Sequence, residues 1–513
     1  MQNHSENTKR IAKNTIMLYG RMLFSMVVSL YTSRIILNTL GVVDYGIMGV
    51  VGGFVAMFSL ISSSLSGAVS RFLTFELGRG DMNRLKSAFS TSLLIHILLA
   101  LVIFIVAETA GVWFVNNRMT IPSDRLYAAN WIFQASIFSF MFGLFSVPYN
   151  ASIVSHERMS AFAYIGMLDT ILRLMIVLFI AYTKWHFDKL IVYSILLTCL
   201  GLAMQCVYLV YCRSNFEECR LRLSFDKVFW KEISAFSVWN FIGSTAAILK
   251  DQGVNVLLNL FVGPVLNAAR GVAGSVNGAV SGFAGNFMTA LNPQITKSYA
   301  SGDLRYAHYL VERGSRFSFY ILLFFAVPIL LETDFILTIW LKQYPEHTLN
   351  FVRLVLVLSL IDTLSNTLIT LQNATGKIRN YQLVVGNILL LNFPLSYVCL
   401  KLGMQPESTY LVAIAVGIMC MLARLMFVRK TAQLSMGSFV KNVVLNVAMV
   451  AAASIILPYI IHSLLPYGWG RFVIVGFVSV LASAFSILLI GCNKNERSFI
   501  LSKMKAVKDR FKR

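Results

Sequence analysis

The residues of this chain that could do chemistry are charged side chains set within long apolar runs. They are Arg21, Arg34, Lys250 and Arg270, the carboxylates Asp44, Asp169, Asp251 and Asp362, and Arg173, four residues after Asp169. A charge at such depth is expensive in hydrocarbon, so each is expected to face protein or a watery cavity. The chemistry they suggest is binding. Arginine presents a planar fork that matches phosphate oxygens, lysine adds a mobile point charge, and a phosphate group carries roughly two negative charges near neutral pH. Arg21, Arg34, Lys250 and Arg270 are therefore the candidate set for holding an anionic, diphosphate-like group in a shared cavity. Asp44, Asp169, Arg173, Asp251 and Asp362 are the candidate coupling or gating set, through a proton or a sodium ion. Asp169 and Arg173 also have the spacing of an ordinary ion pair along one helix face.

Other charged positions invite plainer readings. His96, alone on an apolar face, is expected to be a satisfied core histidine, and Arg353 and Arg424, near helix ends, are expected to snorkel to lipid headgroups. The glycines Gly274, Gly278 and Gly282 form a small-xxx-small stripe, which predicts a close helix-packing face. Pro148 and Pro394 predict kinks. No GxxxxGK[ST] loop, HExxH, paired CxxC or Ser/His/Asp grouping occurs. An ATP motor, a metal centre, a cofactor and enzymatic function are thus not expected. The seven cysteines show no ligand spacing and read as reduced, buried small hydrophobes.

The elements that position these residues follow from composition. Of 513 residues, 57% are hydrophobic and only 13% charged, more apolar surface than a soluble domain of this length can hide. A formal charge of +21 would suit a nucleic-acid partner in a soluble protein. Here the basic residues fall between apolar runs, as the positive-inside rule produces, so no nucleic acid is expected.

The expected fold is an all-α polytopic membrane protein with about fourteen transmembrane helices, at roughly 20 apolar residues per span. The predicted spans are 13–40, 43–70, 88–115, 127–153, 160–183, 189–212, 234–261, 264–292, 309–340, 349–374, 380–401, 408–429, 438–462 and 470–492. The expected organisation is an N-terminal six-helix lobe (1–212), a polar cytoplasmic linker (213–231), a C-terminal six-helix lobe (232–430), two extra helices (431–493) and a basic tail (494–513). Glycines repeat in one register across the lobes: Gly41, Gly49, Gly52 and Gly80-Asp81 match Gly263, Gly271, Gly274 and Gly302-Asp303. Such internal duplication is the usual build of a secondary transporter. The predicted outer loops hold few basic residues, among them Arg125, Lys189 and Arg471, which places both termini in the cytoplasm.

The run Arg34, Gly41, Asp44-Tyr45-Gly46 resembles the R-x6-G-x2-[DE]-[YF]-G signature at the first extracytoplasmic turn of bacterial polysaccharide flippases, of the multidrug/oligosaccharidyl-lipid/polysaccharide exporter superfamily. Gln372-Asn373-Ala374-Thr375-Gly376-Lys377 is similar to that family's turn after the tenth helix, and Leu291-Asn292-Pro293 with Ser301-Gly302-Asp303 to the end of its eighth. The resemblance implies a flippase moving undecaprenyl-diphosphate-linked oligosaccharide from the cytoplasmic to the periplasmic leaflet of the inner membrane, by alternating access of two lobes, for O-antigen, capsule or exopolysaccharide synthesis. It implies as partners the lipid-linked substrate, membrane lipid, a coupling H+ or Na+, and polysaccharide polymerase and glycosyltransferases. Arg34 and Asp44 match its first-turn motif, and Arg270 sits where related flippases use an eighth-helix arginine. The last two helices are expected to form a groove for the lipid tail. Departures from the pattern are Leu266-Asn267-Ala268 in place of the acidic turn in the second half, and no Arg-Asp neighbour pair in the first helix. A cation or multidrug extruder of the same superfamily and a non-transporting scaffold for polysaccharide assembly are the alternatives.

Overall fold

The computed structural model describes the backbone of residues 2–56, 58–117, 121–183, 188–220, 226–262, 264–341 and 344–498. Some side chains within these ranges, Arg34 and Asp251 among them, lie outside the described set.

The long helices are α1 (Gln2–Ala56), α2 (Ser59–Arg79), α3 (Met82–Asn117), α4 (Leu126–Ser155), α5 (Met159–Tyr182), α6 (Lys189–Asn215), α7 (Lys227–Phe261) and α8 (Pro264–Ala300). They continue with α9 (Leu304–Leu331), α10 (Thr348–Thr375), α11 (Arg379–Lys401), α12 (Ser408–Ala432), α13 (Met436–Leu464) and α14 (Trp469–Gly491). Among the described residues, 10 helices are long and apolar enough to cross a membrane: α3 to α6 and α9 to α14. The expected fourteen spans are not reached by that measure. Among the other long helices, α1 and α7 hold side chains outside the described residues, and α2 and α8 carry more polar side chains and glycine, such as Arg71 and Glu76 in α2 and Asn277, Asn286 and Asn292 in α8. That composition fits helices that face other protein or water on one side.

The turn expected at residues 41–46 is absent, and helix continues to Ala56 before restarting at Ser59. The reason is a stripe of helical period running straight through the segment. Ile36, Ile47, Val51 and Val55 are all buried, and Asp44 lies on the same stripe. Ile47, Val51 and Val55 join Ala129, Phe133 and Ile137 of α4 and Leu190 of α6 in one apolar cluster. Each glycine costs a helix about 1 kcal/mol, a sum this burial offsets, and no proline intervenes. At Pro394 the expected interruption occurs, since α11 breaks at Leu391. Pro148 stays inside an unbroken α4.

The chain divides into two compact units, Met1–Ser244 with Thr296–Gly302, and Thr245–Ile295 with Asp303–Arg513. In the first, α4 packs on α6, α2 and α3, and α1 packs on α5 and α4. In the second, α10 packs on α12 and α9, and α11 packs on α12. The pairings α3–α4, α4–α6 and α5–α6 thus recur six helices later as α9–α10, α10–α12 and α11–α12. Helices α13 and α14 pack on one another and on α9.

Two of the three stripe glycines of α8, Gly274 and Gly278, do not pack closely against any neighbour among the described residues. A Cβ placed on Gly271, Gly274 or Gly278 would meet nothing within 4 Å. Close approach occurs instead at Gly314 of α9, where a Cβ would lie 2.3 Å from Leu291 Cδ2 and 2.8 Å from Thr367 Cγ2. Gly278→Ala is therefore expected to leave the fold intact or raise stability by up to about 1 kcal/mol, through reduced backbone freedom. Gly314→Ala is expected to cost about 1–3 kcal/mol through overpacking, and thermal unfolding in detergent separates the two.

Candidate functional site

The sequence-predicted residues fall into four environments. Asp169 and Arg173 form the intrahelical pair their spacing suggests, Arg173 Nε donating to Asp169 Oδ2 at 2.8 Å. Arg21 lies against α5, its guanidinium 4.3 Å from the centre of the Phe162 ring and tight against Gly166. Arg34 and Asp251 lie on α1 and α7, with side chains outside the described residues. Lys250, Arg270 and Asp362 come together as lining of one cavity in the second unit.

Asp44 is held at one end of α4. Arg125 Nε donates to Asp44 Oδ1 at 2.8 Å while its Nη2 reaches Asp44 Oδ2, and its Nη1 reaches Asp188 Oδ2 at 2.5 Å. One guanidinium thus ties α1, the start of α4 and the start of α6. Asp188 also accepts from the backbone NH of Leu190 at 2.9 Å, capping α6. Burial alone would raise the Asp188 carboxyl. The hydrogen bonds from Arg125 and from the Leu190 and Ile191 amides, with the Arg125 charge, outweigh it and hold that carboxyl below its usual range. A carboxyl depressed on folding contributes stability that is present above its unfolded pKa and lost as pH falls through the folded value. Arg125→Ala is accordingly expected to cost about 1–2 kcal/mol at neutral pH, leaving Asp44 and Asp188 to repel, and to start acid unfolding at higher pH. Thermal melts across pH 3–7 check both, on the order of the ordinary carboxylate range.

At the other end of α4, the turn residue Glu157 is buried and meets Lys297 Nζ at 2.7 Å and Arg10 Nη2 at 3.1 Å. Asn14 Nδ2 donates to its carbonyl at 3.3 Å. In the second unit, Glu332 at the end of α9 takes Arg471 Nη2 at 3.1 Å and His462 Nδ1 at 2.8 Å. Toward the start of α9, Arg316 Nη2 meets Glu496 Oε1 at 3.0 Å and Arg313 Nε lies 3.3 Å from the same oxygen. None of these clamps was apparent from the sequence, where Arg125, Lys297 and Arg471 read only as loop or flank charges.

Several plain readings need correction. Arg353 donates to the Leu330 carbonyl at 3.1 Å, and Arg424 bonds Tyr381, so both turn toward protein instead of snorkelling. The reason is that each finds an acceptor within reach that helix ends or phenols leave open. His96 is buried with Nδ1 2.8 Å from the Ser92 carbonyl, as expected, although its Nε2 has no partner among the described residues. Cys199 and Cys206 are exposed instead of buried and Cys399 is half-buried, while Cys212, Cys219, Cys420 and Cys492 are buried, and all are free thiols.

The cavity of the second unit has a volume of about 550 Å³, within the usual range for a small-molecule site. Two helices supply its cations. Lys250 is buried on α7, and Arg270 is half-buried on α8. Its opposite wall comes from α10 and α12, with Ser359, Asp362, Thr409 and Tyr410. The Arg270 guanidinium lies 5.1 Å from the Tyr410 ring centre, and Tyr410 rests on Phe351 with ring centres 5.2 Å apart. The open glycines Gly271 and Gly274 line it as well, so no side chain there obstructs a ligand. Asn255, Asn277, Ser359 and Thr409 add uncharged polar groups. Sequence reasoning missed them because single Asn, Ser and Thr residues are common in membrane helices. The available signal was that Arg270, Gly274 and Asn277 share one helical face. Two cations, one carboxylate and several neutral hydrogen-bonding groups thus line one cavity among the described residues.

No protein-family model matches the chain, and no curated protein matches it. Solved structures do. A MATE transporter in its straight conformation aligns over 83% of this chain and 96% of its own, at 12% identity and a TM-score of 0.71. The MATE transporter ClbM in complex with Rb+ aligns over 84% of this chain and 96% of its own, at 12% identity and a TM-score of 0.70. A MOP superfamily transporter from Pyrococcus furiosus, whose description reads that reverse polarity of its binding pocket suggests a different function, aligns over 83% and 96% at 11% identity and a TM-score of 0.70. Likeness at that identity is likeness of fold, and in fold this chain is a multi-pass helical protein of the kind built by the MATE transporters of the MOP superfamily.

Proposed function

We propose that the chain is an alternating-access transporter whose second unit receives an oxyanionic headgroup. Undecaprenyl-diphosphate-linked oligosaccharide is the substrate class, moved from the cytoplasmic to the periplasmic leaflet of a bacterial inner membrane. The observation that carries this reading is the pairing of Lys250 and Arg270 in one cavity of about 550 Å³ against Asp362, the one carboxylate among its described lining residues. A cavity of net positive charge selects anions, and a diphosphate offers several oxygens for these donors. The membrane fold supports transport, and the flippase resemblance of the Arg34–Gly46 segment supports the lipid-linked substrate.

A second reading, extrusion of cationic compounds, has its own support. One solved structure of this fold is described as a multidrug resistance MATE family transporter, and another carries Rb+. Fold likeness favours this reading over the first, and Asp362 supplies the carboxylate that a cation would need. Asp362→Asn separates the two. If the cargo is anionic, removing the one like charge leaves pyrophosphate binding intact or tightens it about 3- to 10-fold, roughly the effect of 1 kcal/mol. If the cargo is cationic, the same variant loses export of a cationic dye while pyrophosphate never binds. Dye efflux from whole cells and calorimetry on the detergent-purified chain measure the two outcomes.

A further inference from the structure

The side chain of Asn277, an uncharged residue of the cavity, is fixed from both sides at one atom. Its Oδ1 accepts from Ser359 Oγ of α10 at 2.6 Å and from Ser281 Oγ of α8 at 3.0 Å. A carboxamide oxygen has two lone pairs, and these two hydroxyls occupy both. Because the amide group is planar, fixing the oxygen fixes the NH2 on the far side. That NH2 has no partner among the described residues, and Asn277 lines the cavity. Arg270, Gly274 and Asn277 stand at positions i, i+4 and i+7 of α8, on the same face as the guanidinium. Gly274 between them presents no Cβ contact within 4 Å, so nothing separates the amide from the cation along that face.

We propose that Asn277 is a specificity-determining residue of this cavity. Its NH2, aimed by Ser281 and Ser359, donates to an oxygen of the phosphate or diphosphate held by Lys250 and Arg270. The proposal rests on the anion reading of the cavity and adds to it a neutral donor with a fixed direction. Lys and Arg attract any anion. A preoriented amide N–H favours one with several oxygens at defined places, as in a phosphoryl group, over a single small ion that cannot meet Lys250, Arg270 and the amide at once. Ser281 and Ser359 are positioning residues in this scheme through their hydrogen bonds to Asn277 Oδ1, and Ser359 lines the cavity as well.

The test uses the full-length, detergent-purified chain with two probes, inorganic pyrophosphate and farnesyl diphosphate, by calorimetry. Asn277→Asp keeps the shape and lets both serines go on donating, so the α8–α10 link survives, but it replaces the donor by a charged acceptor. Asn277→Leu removes the donor without adding charge. Loss of affinity of about 10-fold in Asn277→Leu and 100-fold or more in Asn277→Asp, with unchanged thermal midpoint in Asn277→Asp, is the expected result. Affinity equal to wild type in both variants, while Lys250→Ala abolishes binding, overturns the role of Asn277 and leaves the anion cavity standing. Absence of pyrophosphate and farnesyl diphosphate binding in the wild-type chain overturns the anion reading and this proposal with it. Tighter binding of farnesyl diphosphate than of pyrophosphate identifies a lipid headgroup as the source of the phosphate, and equal binding identifies the free ion. Either ratio supports the donor assignment, provided the Asn277 variants lose both probes.

Discussion

Replacing Lys250 and Arg270 together by alanine is expected to abolish binding of a diphosphate headgroup while leaving the protein folded and inserted. Each charged group contributes hydrogen bonds worth about 1.5–3 kcal/mol to a bound anion, so losing both weakens binding by at least about 100-fold. The single variants are expected to fall between, and their effects to couple, because both donors line one cavity with Asp362. Arg270→Lys is expected to recover only part of the loss. Lysine keeps the charge but not the planar fork, and it gives up the stacking of the guanidinium over Tyr410. In cells, the double variant should eliminate surface polysaccharide at normal protein level if the substrate is a lipid-linked oligosaccharide. Undiminished polysaccharide together with undiminished headgroup binding would remove the anion cavity from consideration.

The largest stability effect is expected at Glu332. Its side chain is only 1% exposed, Arg471 is 13% exposed, and the two meet at 3.1 Å with His462 completing the cluster. Truncating one partner of a buried pair leaves the other charge uncompensated, at a cost of roughly 3–5 kcal/mol. Glu332→Ala should therefore lower the thermal midpoint strongly and loosen α13 and α14 from α9 at that end. Hydrogen exchange should report the loosening in those two helices first. The opposite clamp, Arg316 and Arg313 on Glu496, together with Glu312 accepting from Ser438 Oγ at 2.6 Å, would still hold them. A double variant, Glu332→Ala with Glu496→Ala, is expected to be far worse than either alone. If Glu332→Ala melts like wild type, the last two helices are held by apolar packing and the clamps contribute little.

Much of the helical architecture was legible because its signals are local. Apolar runs of span length, proline at Pro394 and the polar residues between runs placed α10 to α14 to within a few residues, whereas α9 runs from Leu304 to Leu331 instead of 309–340. One signal was misread. Gly41 and Gly46 suggested a turn, but the buried stripe Ile36, Ile47, Val51 and Val55 has helical period across it, and burial along a whole face outweighs two glycines. The α8 glycines Gly274 and Gly278, expected to pack closely, stand open among the described residues. Small residues at every fourth position are compatible with a packed face or an open one, and only the neighbours decide.

What the sequence determined by itself was the solvent and the periodicity: an all-helical chain in lipid, with cations planted on α7 and α8 where hydrocarbon would not tolerate them unpartnered. Only the tertiary structure decided which charge answers which. Asp44 and Asp188 meet at Arg125, Glu332 meets Arg471, and Lys250 and Arg270 meet Asp362 around a cavity. These partners are far apart in the chain, and whether a side chain clamps helices or lines a cavity depends on what the facing helix presents. That complementarity exists in no single segment, so it appears only when the helices pack.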